Sequence, residues 1–398
     1  MNNEEVDAML RVIEKIQKGA PFTFRTHNDV RNAWDTASKW YSSFQETVVT
    51  ESYGGKEYSF PLLFRDPVQW GLDLAADPNF ARHMKWDARK MSKWDSRSQT
   101  FKRFIHEPWT ADLWDEIQSQ LPKGGSALTL IVYADKTKLS SSTGGEKGYP
   151  VMGKFANFGA DLYNGRGPAG AQVLGWLPVI VDDEMDKGKK KYVNMKQQVW
   201  HTSMRKILER VISLGKTGIM WRCGDGVERW IFPVVLLLTG DFEEQSVMLL
   251  TRGTKGLCPC PICLVPAEKQ DSIGKFWPLR KPKKIKAIVE DQSLRATAKD
   301  ALLKEMGARD VYNVFWDVPH MNPHLSICFD RLHFNAGGEF GGHLWKELQF
   351  AVEDTKRHVR SAIDHQYDIF PRWRNLNHFG KVLHTEFSDG SKYEDIAK

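Results

Sequence analysis

Two stretches of the chain are apolar without alternation: LTLIVY, Leu128 to Tyr133, and VVLLL, Val234 to Leu238. Unbroken runs of four to eight apolar or β-branched residues predict strands covered on both faces. Further strands are predicted around Val151 to Phe158 and Val173 to Val181, separated by the loop NGRGPAG. From Asn194 to Leu214, Val199, Met204, Ile207, Leu208 and Val211 recur at helical spacing on one face. A second helix is predicted from Phe242 to Leu250. Three strands, a helix, one more buried strand and another helix describe an α/β layer with a mixed sheet. The preceding part is less regular. Helical patches at Val6 to Lys18 and Asp29 to Tyr41 are followed by the extended, Pro-interrupted YSFPLLFRDPVQW. LPKGG, ending at Gly125, marks a boundary just before the first apolar strand.

Composition adds limits. A chain of 398 residues, 41% hydrophobic and 12% aromatic with 15 Trp, can build two or three domains or one large domain with insertions. No apolar run approaches the roughly 18 residues of a membrane helix, and MNNEEVDAML lacks a signal-peptide pattern. A soluble intracellular protein, cytosolic or nuclear and without a membrane partner, is expected. The formal charge of +6 is compatible with a nucleic-acid partner without demanding one. Five cysteines in a reducing compartment predict no disulfides, yet three of them, Cys258, Cys260 and Cys263, fall within six residues.

Both unbroken strands end in an aspartate: Asp135 after Tyr133-Ala134, and Asp241 after the sequence Thr239-Gly240. Strands often end in polar turns, and each Asp alone would be only that. If the strands are neighbours, however, the two carboxylates repel unless a hard divalent cation lies between them. GLCPCPICLVP carries the C-x-x-C of half a zinc site at Cys260 and Cys263. FDRLH could supply the other half through Asp330 and His333, with Cys258 as a substitute ligand; a proline-rich turn with incidental thiols is the alternative. The basic run KFWPLRKPKKIK offers Lys275, Arg280, Lys281, Lys283, Lys284 and Lys286 as a phosphate-contacting arm, a localisation signal or a solvated linker. WRCGDGVERW, with Asp225 and Glu228, reads as a turn into the Val234 strand. PRWRNLNHF reads as a helix-to-loop passage with surface arginines.

In this order, YADKTKLS, GWLPVI, CGDGVERWIFP, LLTGDFEEQ, LCPCPICLVP, FDRLH and PRWRNLNHF resemble the Plavaka-type transposases of mushroom-forming fungi, from about Phe60 to the last residue. These are related to the CACTA and Kyakuja-Dileera-Zisupton elements. The resemblance implies a ribonuclease H-like mixed sheet with flanking helices, a D-D-E triad and two Mg²⁺ or Mn²⁺ ions. Asp135 and Asp241 match the first two acids, at the ends of the first and fourth strands. Cys260, Cys263, Asp330 and His333 match the C-x-x-C and D-x-x-H of CACTA-like relatives, implying a structural Zn²⁺. The implied division is an N-terminal helical or irregular region (1–123), the first part of the catalytic core (124–255), a Cys/His metal-binding insertion (256–338) and a helical remainder (339–398). The third acid should be a Glu beyond D-x-x-H, and Glu339, Glu347 and Glu353 are the candidates. In the family it lies further on, past PRWRNLNHF, so a C-terminally incomplete or decayed copy is expected. The implied function is strand cleavage and transfer at transposon-end DNA in the nucleus, by a protein compatible with homo-oligomer formation. One alternative is a non-catalytic zinc-containing DNA-binding or interaction protein of the same descent. Another is an unrelated metal-dependent nuclease using Glu339 or Glu347.

Overall fold

The computed structural model describes residues 2–17, 22–38, 42–139, 146–165, 167–383, 387 and 390–397. The first strands are β1 (Gln45–Tyr53) and β2 (Lys56–Phe64), paired antiparallel over their whole length. Their turn is Gly54-Gly55, both with positive φ, as a two-residue hairpin of matching twist requires. This is the segment read from sequence as merely extended. Pro61 disguised it, since proline cannot donate to a ladder. It is tolerated here because the next strand reaches only Leu63 and Phe64. The N-terminal region, expected to be helical or irregular, therefore contributes two strands to the main sheet as well as the helices Asn3–Ile16 and His27–Ser38.

A separate hairpin joins β3 (Met91–Asp95) and β4 (Thr100–Phe104). Next come β5 (Gly125–Ala134), the short pair β6 (Thr137–Lys138) and β7 (Lys147–Gly148), then β8 (Pro150–Phe155), β9 (Gln172–Trp176), β10 (Ile219–Arg222), β11 (Glu228–Gly240) and β12 (Ile327–Phe329). The large sheet runs β1-β2-β9-β8-β5-β11-β10, and β12 pairs in parallel with the end of β11, Leu238–Gly240. The architecture is mixed α/β.

Two compact units divide the chain. One comprises Met1–Val132, Lys136–Leu236 and Val314–Met321; the other comprises Tyr133–Asp135, Leu237–Asn313 and Asn322–Lys398. In the first, Leu128, Leu130 and Val132 on one face of β5 and Ala127 and Thr129 on the other are buried, as predicted for a strand covered on both faces. The helix Pro67–Ala76, capped by the Asp66 carboxylate, packs on this layer through Gly71. A Cβ there would come within 2.6 Å of Leu128 and Phe155, so only glycine permits the approach. The predicted helix over 194–214 is two abutting helices, Lys190–Ile207 and Glu209–Thr217, and all five of its apolar face residues are buried. In the second unit a small core gathers Trp345, Val382, Leu383, Tyr393 and Ile396. Among the described residues no helix is long and apolar enough to cross a membrane.

Candidate functional site

Three strand ends deliver three aspartates, all in the second unit. β5 stops at Ala134 and is followed by Asp135; β11 stops at Gly240 and is followed by Asp241. The two ends adjoin, since a Cβ on Gly240 would lie 3.3 Å from the Ala134 carbonyl oxygen. The sequence supplied these two acids. The third, Asp330, follows β12, and its N–H donates to the Gly240 carbonyl at 3.4 Å.

Each carboxylate is held differently. Asp135 Oδ2 accepts from the Tyr133 hydroxyl at 3.3 Å. Asp241 is the N-cap of the helix Phe242–Met248, and its Oδ1 accepts from the Glu244 N–H at 2.7 Å. Asp330 uses both oxygens: Oδ1 accepts from the Leu332 N–H at 2.8 Å, and Oδ2 lies 2.9 Å from His333 Nδ1. Among the described residues, Asp135 Oδ1 and Asp241 Oδ2 are thus left without a protein donor.

The electrostatics follow from the crowding. Burial, then the Asp241 charge, raises the Asp135 carboxyl above its ordinary value. Burial and the nearby Asp135, Asp330 and Asp241 charges push the Tyr133 phenol up. The bond to Asp330 raises His333, and the other two acids add to the effect. A field this negative favours cations and protons alike.

Gln245, 1% exposed, braces the arrangement. Its Nε2 donates to the Gly240 carbonyl at 3.0 Å and to the Cys328 carbonyl at 3.2 Å, tying β11 to β12 just before their aspartates. Gln245→Leu keeps a side chain of similar size but removes the donor shared by the two carbonyls, of which Gly240 still accepts from the Asp330 N–H. The expected cost is about 1–3 kcal/mol in chemical denaturation, the size of one buried group left unsatisfied. A loss below about 1 kcal/mol would show that the clamp is dispensable.

Beside the acids lies a cavity of about 410 Å³, lined by Asp241, Phe329, Asp330, His333, Phe334, Glu339 and His343 among others. Glu339 belongs to a segment of π-helix, Leu332–Leu344. Glu347 and Glu353 lie on the following helix, Trp345–Glu353, and do not line this cavity.

The cysteine knuckle is organised around a different residue. Cys260 Sγ accepts from the Ile262 and Cys263 N–H groups, both at 3.4 Å. Burial raises the Cys258 and Cys263 thiols. Arg280, expected in a solvent-facing basic arm, is instead 2% exposed. It donates to the carbonyls of Cys260, Met306 and Cys258, so its guanidinium is committed to holding the loop. Lys275, Lys281, Lys283 and Lys284 are exposed, whereas Lys286 is half-buried over the Tyr312 ring. Asp330 and His333, expected beside the cysteines, bond each other next to Asp135 and Asp241. Among the described residues no three His, Cys, Asp or Glu side chains stand in metal-holding geometry. Asp225 pairs with Arg229 through two bonds of 2.8 and 2.7 Å in the β10–β11 turn, which holds its carboxyl low. Arg372 and Arg374 are exposed in the passage after the helix Arg357–Asp368.

The grouping of Asp330 with the other acids escaped the sequence because β12 is three residues long. Its signal was present: LSICF also ends an apolar run in an aspartate. Compared with known proteins, the chain matches the family model of the Plavaka transposase over residues 7–346. No curated protein matches it.

Proposed function

The chain belongs to the Plavaka transposase family, and on that premise we propose that it cuts and joins DNA by two-metal chemistry at Asp135 and Asp241. A transposase-derived protein acts on DNA; the chemistry and its residues are our reading. The observation that carries it is the pair of adjoining carboxylates, each with one oxygen held by the protein and the other open. Hard oxygen donors of this kind suit Mg²⁺ or Mn²⁺. Such ions, held by Asp135 and Asp241, would supply Lewis-acid activation of water and then of a DNA 3′-hydroxyl. Asp135 follows β5 and Asp241 follows β11, its neighbour in the large sheet, and this adjacency supports a ribonuclease H-like reading of the sheet.

The residues themselves have distinct tasks. The Tyr133 hydroxyl and the Glu244 N–H fix which oxygen of each acid faces the ligand. Asp330, fully engaged, adds negative charge rather than an open oxygen, and its bond to His333 keeps that imidazole in place. Glu339, in the same cavity, is the acid available from the helical side to complete the triad. The test is Mg²⁺-dependent nicking of the element's terminal DNA, which Asp135→Ala or Asp241→Ala should abolish. Nicking that survives both substitutions would overturn the assignment, and salt-dependent DNA binding without cleavage by the wild type would favour the non-catalytic alternative.

At the knuckle, we read Cys260 and Cys263 as a sulfur pair for Zn²⁺, because the C-x-x-C spacing places both in one tight turn whose Ile262 and Cys263 N–H groups converge on Cys260 Sγ. Asp330 and His333 do not join that set. Elemental analysis should find zinc in the wild type and none after Cys260→Ser with Cys263→Ser; a zinc-free wild type would end this reading. The exposed Lys275, Lys281, Lys283 and Lys284 are the side chains of the basic run available to DNA phosphates.

A further inference from the structure

We infer that Phe329 and Phe334 form a platform for a nucleobase lifted out of its stack beside the phosphate to be cut. The inference rests on the proposal that Asp135 and Asp241 are the cleavage site. The two rings stack on each other, 4.5 Å between centroids at 23°. They are 45% and 48% exposed, so the stacked pair forms one apolar patch open to solvent. Their position is fixed by the same local structure that fixes Asp330. Phe329 is the last residue of β12, and the Phe334 N–H donates to the Asp330 carbonyl at 2.8 Å.

Both rings line the cavity that also holds Asp241, Asp330 and His333. The occupant must suit two unlike surfaces. Carboxylates repel a phosphate approaching without cations, so the sugar–phosphate chain gains nothing from this wall directly. A nucleobase is neutral and planar, and it offers a π-face to aromatic rings whatever its sequence. Enzymes that need access within a duplex extrude a base into such a pocket, and stacking there offsets part of the lost pairing. A cavity of about 410 Å³ beside the acids has room for one base.

The test is equilibrium binding of the full chain, in Ca²⁺, to two DNA duplexes that differ only by one unpaired base. Wild type should prefer the duplex with the unpaired base by about tenfold, the size of one stacked base. Phe329→Leu with Phe334→Leu, which keeps apolar volume but removes the π-faces, should abolish that preference. Phe334→Tyr should retain it. Lys281→Ala with Lys284→Ala should weaken both duplexes equally. The inference falls if wild type shows no preference, or if the double leucine variant keeps it while circular dichroism shows an unchanged fold. Since binding is read without cleavage, the outcome is independent of nicking by Asp135→Ala. Cleavage lost with the preference intact, or the reverse, separates the two readings.

Discussion

Asn157→Leu is expected to destabilise the unit containing β5 by about 3–5 kcal/mol. Asn157 is fully buried and uses its whole hydrogen-bonding capacity. Its Oδ1 accepts from the Thr129 N–H at 2.8 Å and the Thr129 hydroxyl at 3.0 Å; its Nδ2 donates to the carbonyls of Lys85 at 2.8 Å and Ala127 at 2.9 Å. Leucine has the same branched shape and is somewhat larger, so no cavity enters the balance. What changes is that the buried groups of Ala127 and Thr129 lose partners where water cannot replace them, whereas half-buried Lys85 can be rehydrated. Three stranded groups at roughly 1–3 kcal/mol each, partly relieved by relaxation, give the figure. Urea unfolding followed by tryptophan fluorescence measures it. A change under about 1 kcal/mol would mean that the strand does not depend on this side chain.

Asp135→Asn should have two effects of opposite sign. Metal-dependent cleavage should fall by at least about a thousandfold, because a neutral amide holds a hard cation far more weakly than a carboxylate and does not balance its charge. The metal-free fold should become more stable. The folded-state value of the Asp135 carboxyl is raised above its ordinary 3.8, first by burial and then by Asp241. Between the ordinary value and the raised one the folded chain therefore binds more protons than the unfolded chain. Stability falls as pH rises through that window and remains lower above it. Asparagine escapes this penalty. In EDTA at pH 7 the variant should melt above wild type, and the two should converge as pH drops below about 4. Mg²⁺ should raise the Tm of wild type alone. A variant that melts lower in EDTA would show that the carboxylate is not under electrostatic load.

These contrasts match what could be read from the sequence. LTLIVY and VVLLL were legible because strands buried on both faces lose all alternation, and their terminal acids stood out against that background. ICF was too short to carry a period, so Asp330 was assigned to the cysteines by spacing and by the family resemblance. Pro61 hid the first hairpin, although Gly54-Gly55 is a strong turn signal read in isolation. Arg280 was misjudged because a basic run averages its members, while burial is decided one side chain at a time. Its neighbours Lys281, Lys283 and Lys284 are exposed as composition suggests. The helical pattern over 194–214 was legible, but the break at Leu208 leaves no mark on a periodicity that continues across it.

The chain's passage between its two compact units also bears on how such a protein can be taken apart or recombined. Asp135 enters the second unit within a three-residue contribution, Tyr133–Asp135, on a strand that otherwise belongs to the first. Expressing 237–398 as an excised fragment would leave Asp241 and Asp330 without Asp135. Exchanging that half between relatives would cross two lineages at the site where the acids meet. Shuffling in this family should therefore succeed at exposed turns such as Gly54-Gly55 and fail at any breakpoint between Tyr133 and Asp241.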